Sequence, residues 1–405
     1  MKGFIIKIII MQVREGYGKM LECSSLFESS KKYQKKYPKQ YPKLEKRGIV
    51  KIEFNGKFDS IQINKIISDI QFIIKVYKRG CKKIVFICNG IFEPKDMFAY
   101  VLFEIFIYTL RCKYDYEIAI SIEQAKSNIR APGLKDSLLI YFNNDKFDKA
   151  LMEKNYKMIH NSNHFRRIIS KEDIKGASIL LGDLKLFLSL FDIDKEYSLC
   201  LAKVGAELVD NANEHAEADC LIDIYVSDPI KNKKCNEMFY SINMVVINFS
   251  NKHLGYDIQK KIEEKNYNES QRYDLVSRAY KHHKKYFDKN SYEVDDFYNL
   301  ASFQDRISGR EKETKTGGTG LTDLIKSLED RAEAHSCYVL SGNKGLWFEP
   351  QYLKYNDDDW IGFNEENDFI TNIPNKDIIV RSSVDFLGTG YNFTLIVKKE
   401  ENKNA

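Results

Sequence analysis

The chain has 405 residues, of which 43% are apolar and 30% charged, with a formal net charge of +5. That balance excludes a disordered or fibrous chain, and the length predicts two or three domains with more than one core. Eight cysteines are scattered with none in a Cys-x-x-Cys pair, so neither a zinc site nor a disulfide framework is signalled. Most lie in apolar runs, read as small core residues, and suit a reducing cytoplasm.

Gly3 to Ile10 is apolar but short and broken by Lys7, which predicts an opening strand rather than a signal peptide. Lysines from Lys31 to Lys46, with Arg47, interleave with Tyr33, Tyr37 and Tyr41. The run offers a surface for nucleic acid or an acidic partner, or else forms a solvated segment. Residues 48–54 alternate as a strand, and Asp59 to Lys78 has helical periodicity. Lys83 to Cys88 reads as a buried strand, and Pro94-Lys95-Asp96 opens a strongly apolar helix over 99–111. That helix is too short and too interrupted to span a bilayer, and no membrane segment is expected. Glu117 to Ile122 is a further strand. Residues 1–125 thus form a small α/β domain, through which a protein partner or a second copy of the chain is expected to bind.

Residues 126–170 are more polar and read as a connector, with one strand at Ser137 to Phe142. His160 and His164 lie there without the heptad flanks of a phosphoacceptor helix, and read as surface or capping histidines. From Lys171 helical patterns cover Ile179 to Phe191 and Lys195 to Ala216. Strands follow at Cys220 to Val226, Phe239 to Phe249, Cys337 to Ser341, Leu346 to Glu349 and Asn392 to Lys398. In the first of these, Leu221, Asp223 and Tyr225 alternate. Helices on one face of a mostly antiparallel sheet make a two-layer α/β sandwich over 171–400.

Two stretches carry chemistry. In Glu207-Leu208-Val209-Asp210-Asn211-Ala212-Asn213-Glu214-His215-Ala216, the helical period sets Glu207, Asn211 and His215 on one face. Leu201, Val204, Leu208 and Ala212 form the adjoining buried stripe. A carboxylate and a carboxamide then project together, as a water-activating base and a magnesium ligand would. Later, Gly317-Gly318-Thr319-Gly320-Leu321-Thr322 is a glycine turn entering the apolar run Leu321, Leu324, Ile325, Leu328. That is the build of a phosphate-cradling helix N-terminus.

Together these stretches resemble the N-box and second glycine box of the GHKL ATP-binding module shared by DNA gyrase, heat-shock chaperone ATPases, sensor histidine kinases and MutL. The resemblance covers about residues 170–400. It implies a Bergerat fold, with ATP and Mg2+ as ligands. It implies Glu207 as general base, Asn211 as the Mg2+ ligand and His215 closing the pocket or touching phosphate. The family's first glycine box, Asp-x-Gly-x-Gly, is altered here to Asn248-Phe249-Ser250-Asn251, with Gly255 the only nearby glycine. Asn248 would replace the Asp that accepts a hydrogen bond from the adenine amine. Residues 256–316 would form a charged ATP lid, with Arg310 and Lys315 reaching triphosphate and His282 and His283 solvated. Gly317, Gly318, Thr319, Gly320 and Leu321 would hold phosphate. Asp385 to Phe393 resembles the final Gly-Thr box, with Thr389, or alternatively Thr394, near the base. The N-terminal order loosely resembles STAS domains. The implied activity is ATP hydrolysis driving a lid switch. The alternatives are a protein kinase acting on a partner's Ser or His, and a nucleotide-binding scaffold without turnover.

Overall fold

The computed structural model describes residues 41–77, 79–124, 149–173, 175–232, 235–266, 271–287, 292–305 and 334–400, and Leu21, Cys23, Leu139, Ile307, Thr322, Ile325 and Lys326. The expected strands at Gly3–Ile10 and, save for Leu139, at Ser137–Phe142 lie outside these residues, as does the lysine run before Tyr41. Tyr41 itself stacks on Phe72, 4.0 Å between ring centroids.

The first half is a four-stranded mixed sheet of β1 (Leu44–Glu45), β2 (Ile49–Phe58), β3 (Lys83–Pro94) and β4 (Glu117–Gln124), in that spatial order. β1 runs antiparallel to β2, and the other pairs are parallel. Along β2 the residues Val50, Ile52, Phe54 and Phe58 are buried while Lys51, Glu53, Asn55 and Lys57 are exposed, the period of a strand with one covered face. The crossovers are α1 (Ser60–Val76) and α2 (Met97–Cys112). Asp59 and Asp96 cap them by accepting from the backbone N–H groups of Ile61 and Gln62, and of Phe98 and Ala99. Right-handed crossovers stepping one way along a sheet put both helices on the same face, and α1 and α2 touch there.

The second half is a seven-stranded antiparallel sheet in the order β10-β11-β9-β7-β6-β5, with β8 beside β9. The strands are β5 (Met158–His160), β6 (His164–Ile169), β7 (Cys220–Val226), β8 (Ile230–Lys231), β9 (Met238–Asn248), β10 (Ala334–Trp347) and β11 (Ile379–Lys398). Helix α3 (Lys149–Lys157) leads into β5, so residues 158–169, expected as connector, belong to this sheet. The two short strands expected at 337–349 are one bulged strand, and Asn392–Lys398 is only the end of the long β11. One face packs on α4 (Gly176–Leu188) and α5 (Lys195–Glu214), with Leu184, Leu201 and Leu208 in one core with Ile222, Met244 and Val246.

The other face is covered too, by a helix of the first half of the chain. Leu221, Val245, Ile247 and Phe386 share a core with α2. That helix is buried all round from Met97 to Leu110. It touches β3, β4 and α1 on one side and β9 and β11 on the other. Its uniform apolarity is that of a helix between two sheets.

A buried ionic cluster crosses this second interface. Arg166 from β6 donates to Glu104 of α2 and to Asp223 of β7, each at 2.5 Å, and His164 Nε2 lies 2.9 Å from Asp223. Arg166 and His164 are 1% and 2% exposed, so His164 is not the surface or capping residue expected; His160 is exposed. All seven residues of β7 are buried, so its alternation separates two cores rather than core from water. Burial favours a neutral guanidine, but Asp223 and Glu104 outweigh it and raise the Arg166 pKa. Burial likewise opposes the Asp223 charge, yet Arg166 and His164 hold its pKa at about 2.

Over its described residues, 256–266, 271–287 and 292–305, the expected lid is also corrected. Helices α6 (Tyr256–Glu264), α7 (Gln271–His283) and α8 (Val294–Ala301) extend the α5-side core through Ile258, Ile262, Tyr273, Val276, Phe297 and Leu300. Most of their charges lie on the outer faces, whereas Asp296 of α8 is buried and accepts from Arg381. His283, expected in solvent, is 1% exposed. Its Nε2 lies 2.9 Å from the Phe369 carbonyl and its Nδ1 2.6 Å from the Tyr292 hydroxyl. The carbonyl can only accept, so Nε2 carries the proton and Nδ1 accepts from Tyr292. Burial lowers its pKa to about 4. No helix among the described residues is long and apolar enough to cross a membrane.

Candidate functional site

Helix α5 begins at Asp194, whose carboxylate accepts from the Tyr197 N–H at 2.8 Å. Leu201, Val204, Leu208 and Ala212 are buried as the period requires. That fixes the rotation of the helix, and Glu207, Asn211 and His215 emerge half-buried along one side. All three line one cavity open to solvent. The end of β9 contributes Asn248, and β11 contributes Thr389 and Tyr391. Five residues expected to act together are thus brought together.

Asn248 and Thr389 meet because β9 and β11 pair with these residues opposite each other. The Thr389 N–H donates to Asn248 Oδ1 at 3.3 Å, and the residues are 6% and 3% exposed. The flanking glycines permit this approach. Gly388 has φ +115°, and a β-carbon there would lie 2.3 Å from the Asn248 carbonyl oxygen. At Gly390 a β-carbon would lie 2.2 Å from the Phe98 ring of α2. Thr389 therefore faces the cavity while its neighbour faces α2. Thr394, the alternative, donates to Asn243 Oδ1 at 3.0 Å and does not line the cavity.

The segment between β9 and α6 supplies residues that the sequence reading did not single out. Lys252, His253 and Asp257 line the same cavity. His215 Nδ1 lies 3.3 Å from Asp257 Oδ2, and Lys252 lies 4.0 Å from Asp257 and 2.8 Å from Glu217. Burial would raise the Asp257 pKa, but the His215 hydrogen bond and Lys252 outweigh it and hold it below the ordinary value. Asp257 is therefore ionised at the mouth of the site. No local motif marks these residues; the turn after β9 brings them in.

Gly255, the one glycine near the altered box, serves packing. Its N–H donates to Asn299 Oδ1 at 3.2 Å, and a β-carbon would lie 2.4 Å from the Tyr298 backbone. Arg310, Lys315, Gly317, Gly318, Thr319, Gly320 and Leu321 lie outside the described residues. Beyond them, Thr322 and Ile325 are buried.

Among the described residues no group of three His, Cys, Asp or Glu side chains is placed to hold a metal. A cation here would have to take few protein ligands. The Asn211 carboxamide suits that, being half-buried, on the cavity wall and without a side-chain hydrogen bond to any described residue. Magnesium accepts such a site, since it keeps several waters and takes phosphate oxygens. Comparison of the chain with protein-family models, with curated proteins and with solved structures gives no match.

Proposed function

We propose that the cavity binds a nucleoside triphosphate with magnesium, ATP by the resemblance to the GHKL module, and that Glu207 promotes hydrolysis of the terminal phosphate. The observation that carries this reading is the convergence on one cavity of Glu207, Asn211 and His215 from α5 with Asn248 and Thr389 from two paired strands. An antiparallel sheet backed on this face by α4 and α5 is what the Bergerat reading of the second half requires. None of the eight cysteines forms a disulfide and five are buried, which supports a reducing compartment.

The roles follow from side-chain chemistry. Asn211 offers a carbonyl oxygen to magnesium, which would neutralise phosphate charge. Glu207, one turn earlier on the same face, offers a carboxylate to an attacking water, a general-base contribution of about 10²–10⁴ in rate. Asn248, Thr389 and Tyr391 form the uncharged, buried end, suited to a base. The glycine segment 317–320 is the proposed phosphate cradle on sequence grounds. Because α6, α7 and α8 are part of the core, nucleotide-driven closure is not assigned to them.

The test is calorimetric titration of the full chain with magnesium and nucleotide, beside phosphate release. Asn211→Ala should abolish or severely weaken binding. Glu207→Ala should keep binding and lose turnover, with kcat falling and KM little changed. Equal affinity in wild type and Asn211→Ala removes the metal assignment. Undiminished phosphate release in Glu207→Ala removes the base. Transfer of γ-phosphate to protein, in place of free phosphate, would make the enzyme a kinase.

A further inference from the structure

The buried end of the cavity carries a hydrogen-bond polarity that decides what kind of base it can hold. The Thr389 backbone N–H sits 3.3 Å from Asn248 Oδ1. A backbone N–H is always a donor, so the oxygen of this carboxamide, and not its nitrogen, must face β11. That settles an assignment which is otherwise open for an Asn side chain. The amide cannot turn over without setting two donors against each other in a buried place. Asn248 lines the cavity, and its Nδ2 has no hydrogen bond to a described residue. With Oδ1 held against β11, the end that Asn248 offers a ligand is the Nδ2 donor pair.

The two purine types differ at this edge. Adenine carries an exocyclic amine, a donor, at the position where guanine and hypoxanthine carry the O6 carbonyl, an acceptor. The GHKL resemblance implies a carboxylate here, which accepts from the adenine amine. Replacing it with a carboxamide whose oxygen is turned towards β11, leaving Nδ2 on the other side, turns the polarity round. The Thr389 hydroxyl can donate or accept and so discriminates neither base.

We infer that the site selects 6-oxopurine nucleotides over adenine nucleotides, by donation from Asn248 Nδ2 to O6 of the base. The inference rests on the proposal that the cavity holds a nucleoside triphosphate, and it replaces the adenine expected from the resemblance with a 6-oxopurine. Adenine in the same pose would leave the Asn248 donor and its own amine facing each other unpaired. A mispaired buried polar group lowers affinity by about ten- to a hundredfold.

The experiment titrates the full chain with GTP, ITP and ATP, each with magnesium, by calorimetry, in wild type and in Asn248→Asp. GTP and ITP should bind within a few-fold of each other, and each about ten- to a hundredfold more tightly than ATP. In Asn248→Asp the carboxylate can accept from both the Thr389 N–H and an adenine amine, so preference should move towards ATP. Wild-type ATP binding as tight as that of GTP and ITP overturns the inference and leaves the nucleotide proposal standing. Tight GTP with weak ITP overturns it as well, because selection would then lie with the 2-amino group. Binding of none of the three overturns the nucleotide proposal itself. If Asn248→Asp fails to fold, the wild-type order alone decides.

Discussion

The two faces of the seven-stranded sheet are covered in different ways. On the α5 face, helices bury apolar side chains, and the polar groups Glu207, Asn211, His215, Asn248 and Thr389 gather around open space. On the α2 face, Leu221, Val245, Ile247 and Phe386 meet an all-buried helix, and the polar groups Glu104, Arg166, Asp223 and His164 are paired in a closed cluster. Neighbouring residues of one strand serve both: Asn248 faces the cavity and Ile247 faces α2. Polar groups that line a cavity can still meet a ligand where they hold one another, as His215 holds Asp257 and Asn248 holds the Thr389 N–H. Polar groups consumed by one another hold two halves of a molecule together.

The largest expected effect breaks the closed face. Arg166→Leu leaves Glu104 and Asp223 buried without their cation, and should cost about 3–5 kcal/mol of stability in denaturant unfolding. A loss well under ~1 kcal/mol would mean that water reaches the cluster and that it does not bind the halves.

Acid should separate the faces next. His283, in the α5-side core, has its pKa lowered from 6.5 to about 4, so the unfolded chain takes up this proton first as pH falls. Its contribution is complete above about pH 6.5 and is lost between there and about pH 4, amounting to about 3 kcal/mol. Asp223, on the α2 face, is held at about 2 against an ordinary 3.8, so its contribution survives until pH falls through that lower window. Unfolding measured at several pH values from 7 to 4 should show the early slope in wild type. In His283→Gln, which has no titrating ring, that part should vanish. A wild type with no slope above about pH 4.5 would rule out a buried neutral His283.

The smallest effect tests the contact of the sheet with α2. In Gly390→Ala the new methyl would press on Phe98, and the overpacking should cost about 1–3 kcal/mol. Adding Phe98→Leu should recover part of this, giving a measurable coupling in a double-mutant cycle. Strictly additive losses would show that the two residues do not press on each other.

Much of this molecule could be read along the chain. The bounds of β7 agree with the alternating run Cys220 to Val226. The Asp96 cap and the start of α2 follow from Pro94-Lys95-Asp96. The face shared by Glu207, Asn211 and His215 follows from the 3.6-residue period alone. These are short-range properties, set by backbone geometry within a few residues. The amphipathic faces of α6 and α7 were there to be read as well, in Ile258 and Ile262 and in Tyr273, Val276 and Ala279, but the surrounding charges suggested a solvated lid.

What lies opposite a face is a long-range matter. The apolarity of α2 marks it as buried but has no direction, so the second sheet packed against it could not be foreseen. The alternation of β7 says that Asp223 points away from Ile222 and Ile224. Only strand pairing brings it Arg166, 57 residues earlier in the chain. The orientation of the Asn248 carboxamide is set in the same way, by a backbone N–H 141 residues away. Periodicity assigns each side chain to a face, and the register of β9 against β11 then supplies the donor that turns the Asn248 oxygen towards β11.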